Sequence, residues 1–160
     1  VVKTGARVAA VKARLLELLS DRGESLTGEA NLRLLADGAP VAPVSLPGGL
    51  LAFVAPEGCA HLRLCSRSFV PAHTMPESDD DRRLGVCVTR LQIDGDDLAL
   101  DDPRLSDGWN QAESDRDRIA RRWTTGDAAL PAGARLIVIA LGGHGRYWRQ
   151  RAARALARAV

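Results

Sequence analysis

A chain of 160 residues, 46% of them hydrophobic, is the size of one domain and can bury a core of its own. Its 22 basic and 20 acidic residues leave a formal net charge of +2, which excludes an acidic disordered segment and a dedicated nucleic-acid binder. No apolar run reaches the roughly 18 residues of a membrane-spanning helix.

The chain opens on Val1 rather than Met, which reads as an excised or processed piece of something longer. The first residues lack the shape of a signal peptide, because Arg7, Lys12, Arg14 and Glu17 interrupt the apolar positions. Three cysteines, Cys59, Cys65 and Cys87, are odd in number and too few for a disulfide framework, so the compartment stays open.

A helix is expected over 4–22, with Val8, Val11, Leu15, Leu18 and Leu19 on one stripe, Thr4 as cap and Gly23 as stop. After it the period changes to two. Leu32 and Leu34 alternate with polar neighbours, Asp37-Gly38 signals a tight turn and Val41 resumes, which is a hairpin. Short strands follow over 50–54 and 61–66, and a polar stretch from Arg67 to Arg83 is the longest expected loop. Leu84, Val86, Val88, Leu91 and Ile93 read as a central strand, and the phase slip between Val88 and Leu91 predicts a bulge near Thr89-Arg90. Asp94-Gly95 turns the chain into a strand at Leu98 to Leu100, and Asp102-Pro103 ends it. The segment 106–121 is polar and ambiguous, Ala128 to Leu130 and Arg135 to Leu141 read as strands, and Gln150 to Ala159 reads as an Arg-rich helix or tail.

The fold class this predicts is mainly β: an antiparallel β-sandwich or jelly-roll-like fold with an N-terminal helix and a short C-terminal helix. The whole of 1–160 is one domain, with the helix at 4–22, the sandwich over about 31–148 and an Arg-rich tail at 149–160.

Several side-chain sets could carry chemistry. Cys59, His61 and Cys65 share one strand face, but Cys59 and Cys65 on one extended strand stand roughly 20 Å apart, too far for one ion, so no metal site is expected. Ser66 and Ser68 with His61, His73 and His144 lack any activating motif. Carboxylate pairs drawn from Asp79, Asp80, Asp81, Asp101 and Asp102 would need to face each other across a cleft. Asp79 to Asp81, or Asp94, Asp96 and Asp97, supply oxygens for calcium without an EF-hand spacing. Gly142-Gly143-His144-Gly145-Arg146 has the setting of a phosphate loop but neither common fingerprint. Arg149, Arg151, Arg154 and Arg158 form a basic face over an alanine-rich one. Trp109-Asn110 in a loop has the character of a sugar-stacking platform, whereas Trp123 and Trp148 read as core anchors.

Six strings occur together: Leu62 to Pro71 (LRLCSRSFVP), Asp81 to Val88 (DRRLGVCV), Leu98 to Leu105 (LALDDPRL), Gly108-Trp109, Arg122 to Leu130 (RWTTGDAAL) and Gly145 to Arg149 (GRYWR). As a set they resemble an uncharacterised C-terminal module that follows Hint (hedgehog/intein) domains in large alphaproteobacterial proteins, over roughly 32–149, with related segments accompanying polysaccharide or glycosyltransferase proteins. The resemblance places Ser66, Arg67, Ser68, Pro71, Asp81, Arg82, Arg83, Trp109, Trp123, Asp127, Tyr147 and Trp148 on recurrent positions. The Hint nucleophile and its downstream His-Asn do not occur in the sequence, so self-splicing is not implied.

The function expected is that of a non-catalytic accessory module of a modular bacterial protein, secreted or surface-linked, that binds a glycan or another surface ligand. The candidate ligand-binding residues are Arg67, Ser68, Asp81, Arg82, Arg83, Trp109 and Asn110. In the simplest alternative to a ligand site, Arg67 and Arg83 pin the ends of the long loop through Asp81. No catalytic set, metal or cofactor is expected, and the partners are a glycan or cell-surface ligand and other domains of the parent chain, without nucleic acid or a transmembrane segment. Two other readings stand beside it. One is a carbohydrate-active enzyme using Asp79 or Asp81 with Arg83, which predicts a deep pocket. The other is a purely structural or interaction domain, which predicts buried tryptophans.

Overall fold

The computed structural model of the chain describes residues 5–115, 118–143 and 145–149. A helix, α1 (Ala6–Asp21), leads into β1 (Leu26–Thr27), β2 (Arg33–Ala36), β3 (Ala39–Val41), β4 (Val44–Leu46), β5 (Leu50–Val54) and β6 (Leu62–Cys65). A one-turn helix, α2 (Pro71–Thr74), precedes β7 (Cys87–Ile93), β8 (Asp96–Asp97), β9 (Glu113–Asp115), β10 (Arg118–Trp123), β11 (Asp127–Leu130), β12 (Leu136–Leu141) and β13 (Tyr147–Trp148).

The strands form a large antiparallel sheet in the order β4-β5-β12-β7-β10-β9, with β8 on β7, and a second sheet in the order β11-β6-β2-β3. Alternation along the strands explains why the two sheets stack. Leu34, Leu62, Leu64, Ala128 and Leu130 point from the smaller sheet into the same core as Phe53, Val88, Leu91, Ile137 and Ile139 from the larger. Leu34, Phe53, Val88, Ile137 and Ile139 are fully buried, each worth about 1.5–3 kcal/mol of transfer free energy. The protein is a mainly β, sandwich-like fold with an N-terminal helix, as its alternation predicts. The Arg-rich helix or tail beyond Arg149 falls outside the described residues.

Both Asp-Gly hairpins form as read. Asp37-Gly38 and Asp94-Gly95 take positive φ at both central positions (47° and 83°; 53° and 94°), the geometry whose twist matches the flanking strands. Each aspartate also ties its turn to a neighbouring segment. Asp37 accepts the N–H groups of Ala60 and His61, and Asp94 accepts those of Arg135 and Leu136. These backbone donors hold both carboxyls below the ordinary carboxylate range. Arg104 does the same to Asp102, whose carboxyl is pulled down to about 2. Because the folded values are depressed, this stabilisation is present above the unfolded carboxylate value near 3.9 and is lost as pH falls below it. The thermal midpoint is therefore expected to drop steeply as pH is lowered from about 5 to 2, and Asp94→Asn to flatten that profile.

The predicted bulge is present: Ala140 pairs with Arg90 and Leu141 with Val88, so Thr89 is the extra residue. The long loop is real and closed at its neck by two Phe69–Leu84 backbone hydrogen bonds of 2.8 Å. Two expectations are corrected. The helix begins at Ala6, with Gly5 at its N-cap, and Thr4 lies outside the described residues. Leu98 to Leu100 is not a strand: only Asp96–Asp97 pairs, and Leu98 and Leu100 reach the core from an irregular segment. Strand β1 pairs with β13 in a two-stranded sheet of their own, and the strands of the two stacked sheets begin with β2 at Arg33. The ambiguous segment 106–121 contains β9 and most of β10.

Candidate functional site

At one end of the sandwich the motif strings meet. Thr124, fully buried, donates its N–H to Val86 O (3.0 Å), accepts the N–H of Gly85 on its carbonyl (2.7 Å) and that of Val86 on its hydroxyl (3.1 Å). Tyr147 is 2% exposed and donates its hydroxyl to Gly85 O at 2.8 Å. Its ring meets Phe69 edge-on at 5.3 Å, and Phe69 meets Trp123 at 5.9 Å. Burial pushes the Tyr147 phenol up to about 12.

Beside this cluster lies Trp109. Its ring is 7% exposed, and its indole N–H donates to Ala129 O at 2.7 Å. The Arg122 guanidinium stands 5.8 Å from the ring centroid and donates to Asn110 O (2.6 Å) and Leu100 O (2.7 Å). Burial lowers the Arg122 pKa below the usual arginine range. Asn110 spends its amide on Arg83 O and Thr124 O, at 3.1 and 3.3 Å. Trp109 thus offers no open face for a sugar ring, because the core and Arg122 cover it. Arg122 sits at the centre of this lock, so Arg122→Ala, which strips two carbonyls of their donor, is expected to cost about 2 kcal/mol or more in urea unfolding.

The remaining predicted residues lie along the loop and its neck. Arg67 donates to Glu29 O at 2.9 Å. Arg83 donates to Ser68 Oγ at 2.9 Å, which joins the two sides of the neck. Arg82 grips Asp80 with Nε and Nη2 and reaches Glu113 on β9 at 3.2 Å, and Glu113 also accepts from Arg121. Asp81 is exposed. The acid that clamps the loop is therefore Asp80, not Asp81, and its arginine is Arg82 rather than Arg67 or Arg83. The reason is local: Asp80 Oδ1 also accepts the Arg82 N–H at 3.0 Å, a turn that fixes the carboxylate beside the guanidinium.

Sequence reasoning passed over Arg63, which bridges Asp107 (2.7 Å) and Asp127 and so ties the Trp109 loop to β6 and β11. The alternation of Leu62 and Leu64 inward puts Arg63 outward, but nothing local names its partners, 44 and 64 residues away. Thr124 was also missed, a polar residue that follows β10, bridges to Trp109 and is fully buried.

Among the described residues no group of His, Cys, Asp and Glu could hold a metal ion. Cys59, Cys65 and Cys87 are free and buried. Burial, first of all, raises the Cys65 thiol, which lies 3.5 Å from Asp127 Oδ1, and takes Cys87 up to about 11. His61 and His73 are exposed, and His144 lies outside the described residues. The surface holds shallow clefts. One of about 180 Å³ is lined by Ala30, Val86, Cys87, Leu141 and Tyr147, and one of about 470 Å³ by Leu26, Thr27, Met75 and Arg146.

The described residues thus form an antiparallel, sandwich-like β fold in which Trp109, Asn110 and Arg122 bond to backbone carbonyls and Arg82 bonds to Asp80 and Glu113. No family model, curated protein or solved structure matches the chain.

Proposed function

We propose that the chain is a non-catalytic accessory β-sandwich module of a modular bacterial protein, of the kind that follows Hint domains, and that it works by offering its outer surface to a partner. The observation that carries this reading is where the motif side chains spend their donors. The Trp109 indole, the Asn110 amide and the Arg122 guanidinium bond to backbone carbonyls, and Arg82 bonds to Asp80 and Glu113. Groups committed in this way build a scaffold and leave little to hold a substrate.

A glycan ligand is the second reading. It rests on the exposed Asp79, Asp81 and Arg83 of the long loop, without a stacking ring. A glycan array and a panel of chromogenic glycoside, ester and phosphoester substrates separate the possibilities. The accessory reading expects neither binding nor turnover. A reproducible glycan hit lost in Arg83→Ala would replace it with the lectin reading, and turnover lost in Asp81→Asn would replace it with an enzyme.

A further inference from the structure

Two of the surface clefts meet. The one of about 180 Å³ and the one of about 470 Å³ share Gly28 and Gly145, so together they make one trough in the size range of a small-molecule site. Its narrow part has an apolar floor of Ala30, Val86, Leu141 and Tyr147, and Cys87, whose thiol burial keeps neutral, adds no charge. Its wide part is polar at two points. Arg146 is exposed there and makes no hydrogen bond or ion pair among the described residues, whereas Arg63, Arg82, Arg90 and Arg104 are each closed on a carboxylate. Thr27 is only 9% exposed; its Oγ accepts the Glu29 N–H at 3.1 Å, and nothing among the described residues accepts its hydroxyl proton. No aspartate or glutamate among the described residues lines either part, and Glu29, which follows Gly28, is turned toward Arg67 at 4.0 Å.

Gly28, at the junction of the two parts, is a glycine that the fold does not require. Every other described glycine either holds a positive φ or has a neighbour that an added Cβ would strike. Gly28 has neither: its φ lies outside the left-handed range, and nothing stands within 4 Å of the place a Cβ would take. Glycine loses more backbone freedom on folding than any other residue, so its use here fits a backbone kept bare for a ligand that approaches it closely.

We propose that this trough binds a small monocarboxylic acid with an apolar body, its carboxylate at Arg146 and Thr27 and its hydrocarbon along the floor past Gly28. The donors narrow the class. One guanidinium and one hydroxyl suit a planar, singly charged acceptor held in a bidentate contact, and are too few for a phosphate dianion. A sugar would need polar side chains along its whole length, and the floor of the narrow part is apolar. Met75, an unbranched thioether, lines the wide part and lets that wall adapt to the ligand. The site lies apart from the committed donors of Trp109, Asn110 and Arg82, so it goes beyond the accessory reading and neither needs nor opposes it.

The test is binding of butanoate, hexanoate and octanoate to the full chain, by ligand-detected nuclear magnetic resonance and calorimetry, with octanol as the neutral comparison. Octanoate is expected to bind with a Kd of about 1 mM or tighter, and butanoate and octanol more weakly. Arg146→Gln is expected to weaken octanoate by about 10-fold or more and to leave octanol unchanged, because it removes only the charge-assisted contact. Gly28→Leu, whose side chain enters open space without strain, is expected to abolish binding of both. Unchanged thermal melts show that the two variants fold. No binding of any carboxylate, octanol held as tightly as octanoate, or octanoate binding unaltered in either variant overturns the proposal. None of these results touches the accessory reading, which the glycan array and the turnover panel test separately.

Discussion

Gly108→Ala is expected to leave the protein unfolded in buffer, a loss of more than about 4 kcal/mol. Gly108 sits at φ +77°, where an L side chain is already strained, and an added Cβ would overlap Asp127 O and come 2.6 Å from Ala128 Cα. Those are backbone atoms of β11, so no rotamer change relieves the clash. Its carbonyl also accepts the Thr125 N–H at 2.8 Å, so displacing the loop costs a hydrogen bond as well as packing. Far-UV circular dichroism should show no cooperative unfolding for the variant. Gly133→Ala is the control. It has nearly the same φ, +77°, but nothing within 4 Å of the added atom, and should cost only the left-handed penalty of about 1–2 kcal/mol. A Gly108→Ala protein that melts like the Gly133→Ala control would remove the close approach of the 108 loop to β11 as a determinant of the fold.

The same loop marks the boundary of what local pattern can reveal. Asp37-Gly38 and Asp94-Gly95 are legible because two adjacent residues encode the turn, and β7 is legible because its inward residues keep step up to the slip at Thr89. The β9–β10 hairpin is not, since its segments carry Glu113, Arg118, Arg121 and Arg122 where an apolar alternation would be needed. Their pairing is held instead by register with β7 and by the Arg121–Glu113–Arg82 ion pairs. For β1 and β13 the cause is length: two residues each show no period, and their partner lies at the other end of the chain.

For the candidate site the strings are in the sequence, but their meaning is not. Phe69, Leu84, Gly85, Thr124 and Tyr147 are scattered over eighty residues, and only the tertiary fold brings them into one cluster. Gly85 illustrates this. Nothing in LGV signals a close approach, yet a Cβ there would meet Thr124 Oγ1 and stand 2.5 Å from Gly126 N. Arg82 next to Asp80 is readable as a local pair, whereas Glu113 as its second acceptor is not.

Trp109 separates scaffold from ligand site most sharply, because the two roles predict opposite responses to substitution. A ring that stacks on a sugar contributes little to folding, and Trp→Ala at such a place lowers affinity while leaving stability within about 0.5 kcal/mol. Trp109 is 7% exposed, packs in the main core with Leu98, Leu100 and Leu105, and carries the Arg122 guanidinium on its face. Trp109→Ala is therefore expected to cost about 3–5 kcal/mol, the range for emptying a large aromatic from a core. Ala129 O loses its indole donor in the same step, and Arg122 loses the ring beneath it. Trp109→Phe dissects this. It keeps an aromatic ring against Arg122 and forfeits the hydrogen bond with part of the volume, so a smaller loss of about 1–3 kcal/mol is expected. Urea unfolding of the two variants, read with the Trp123 and Trp148 fluorescence they retain, measures both values. Wild-type stability in Trp109→Ala would mean that the indole is not a core anchor, and would return Trp109 to the ligand-binding candidates beside Arg83 and Asp81.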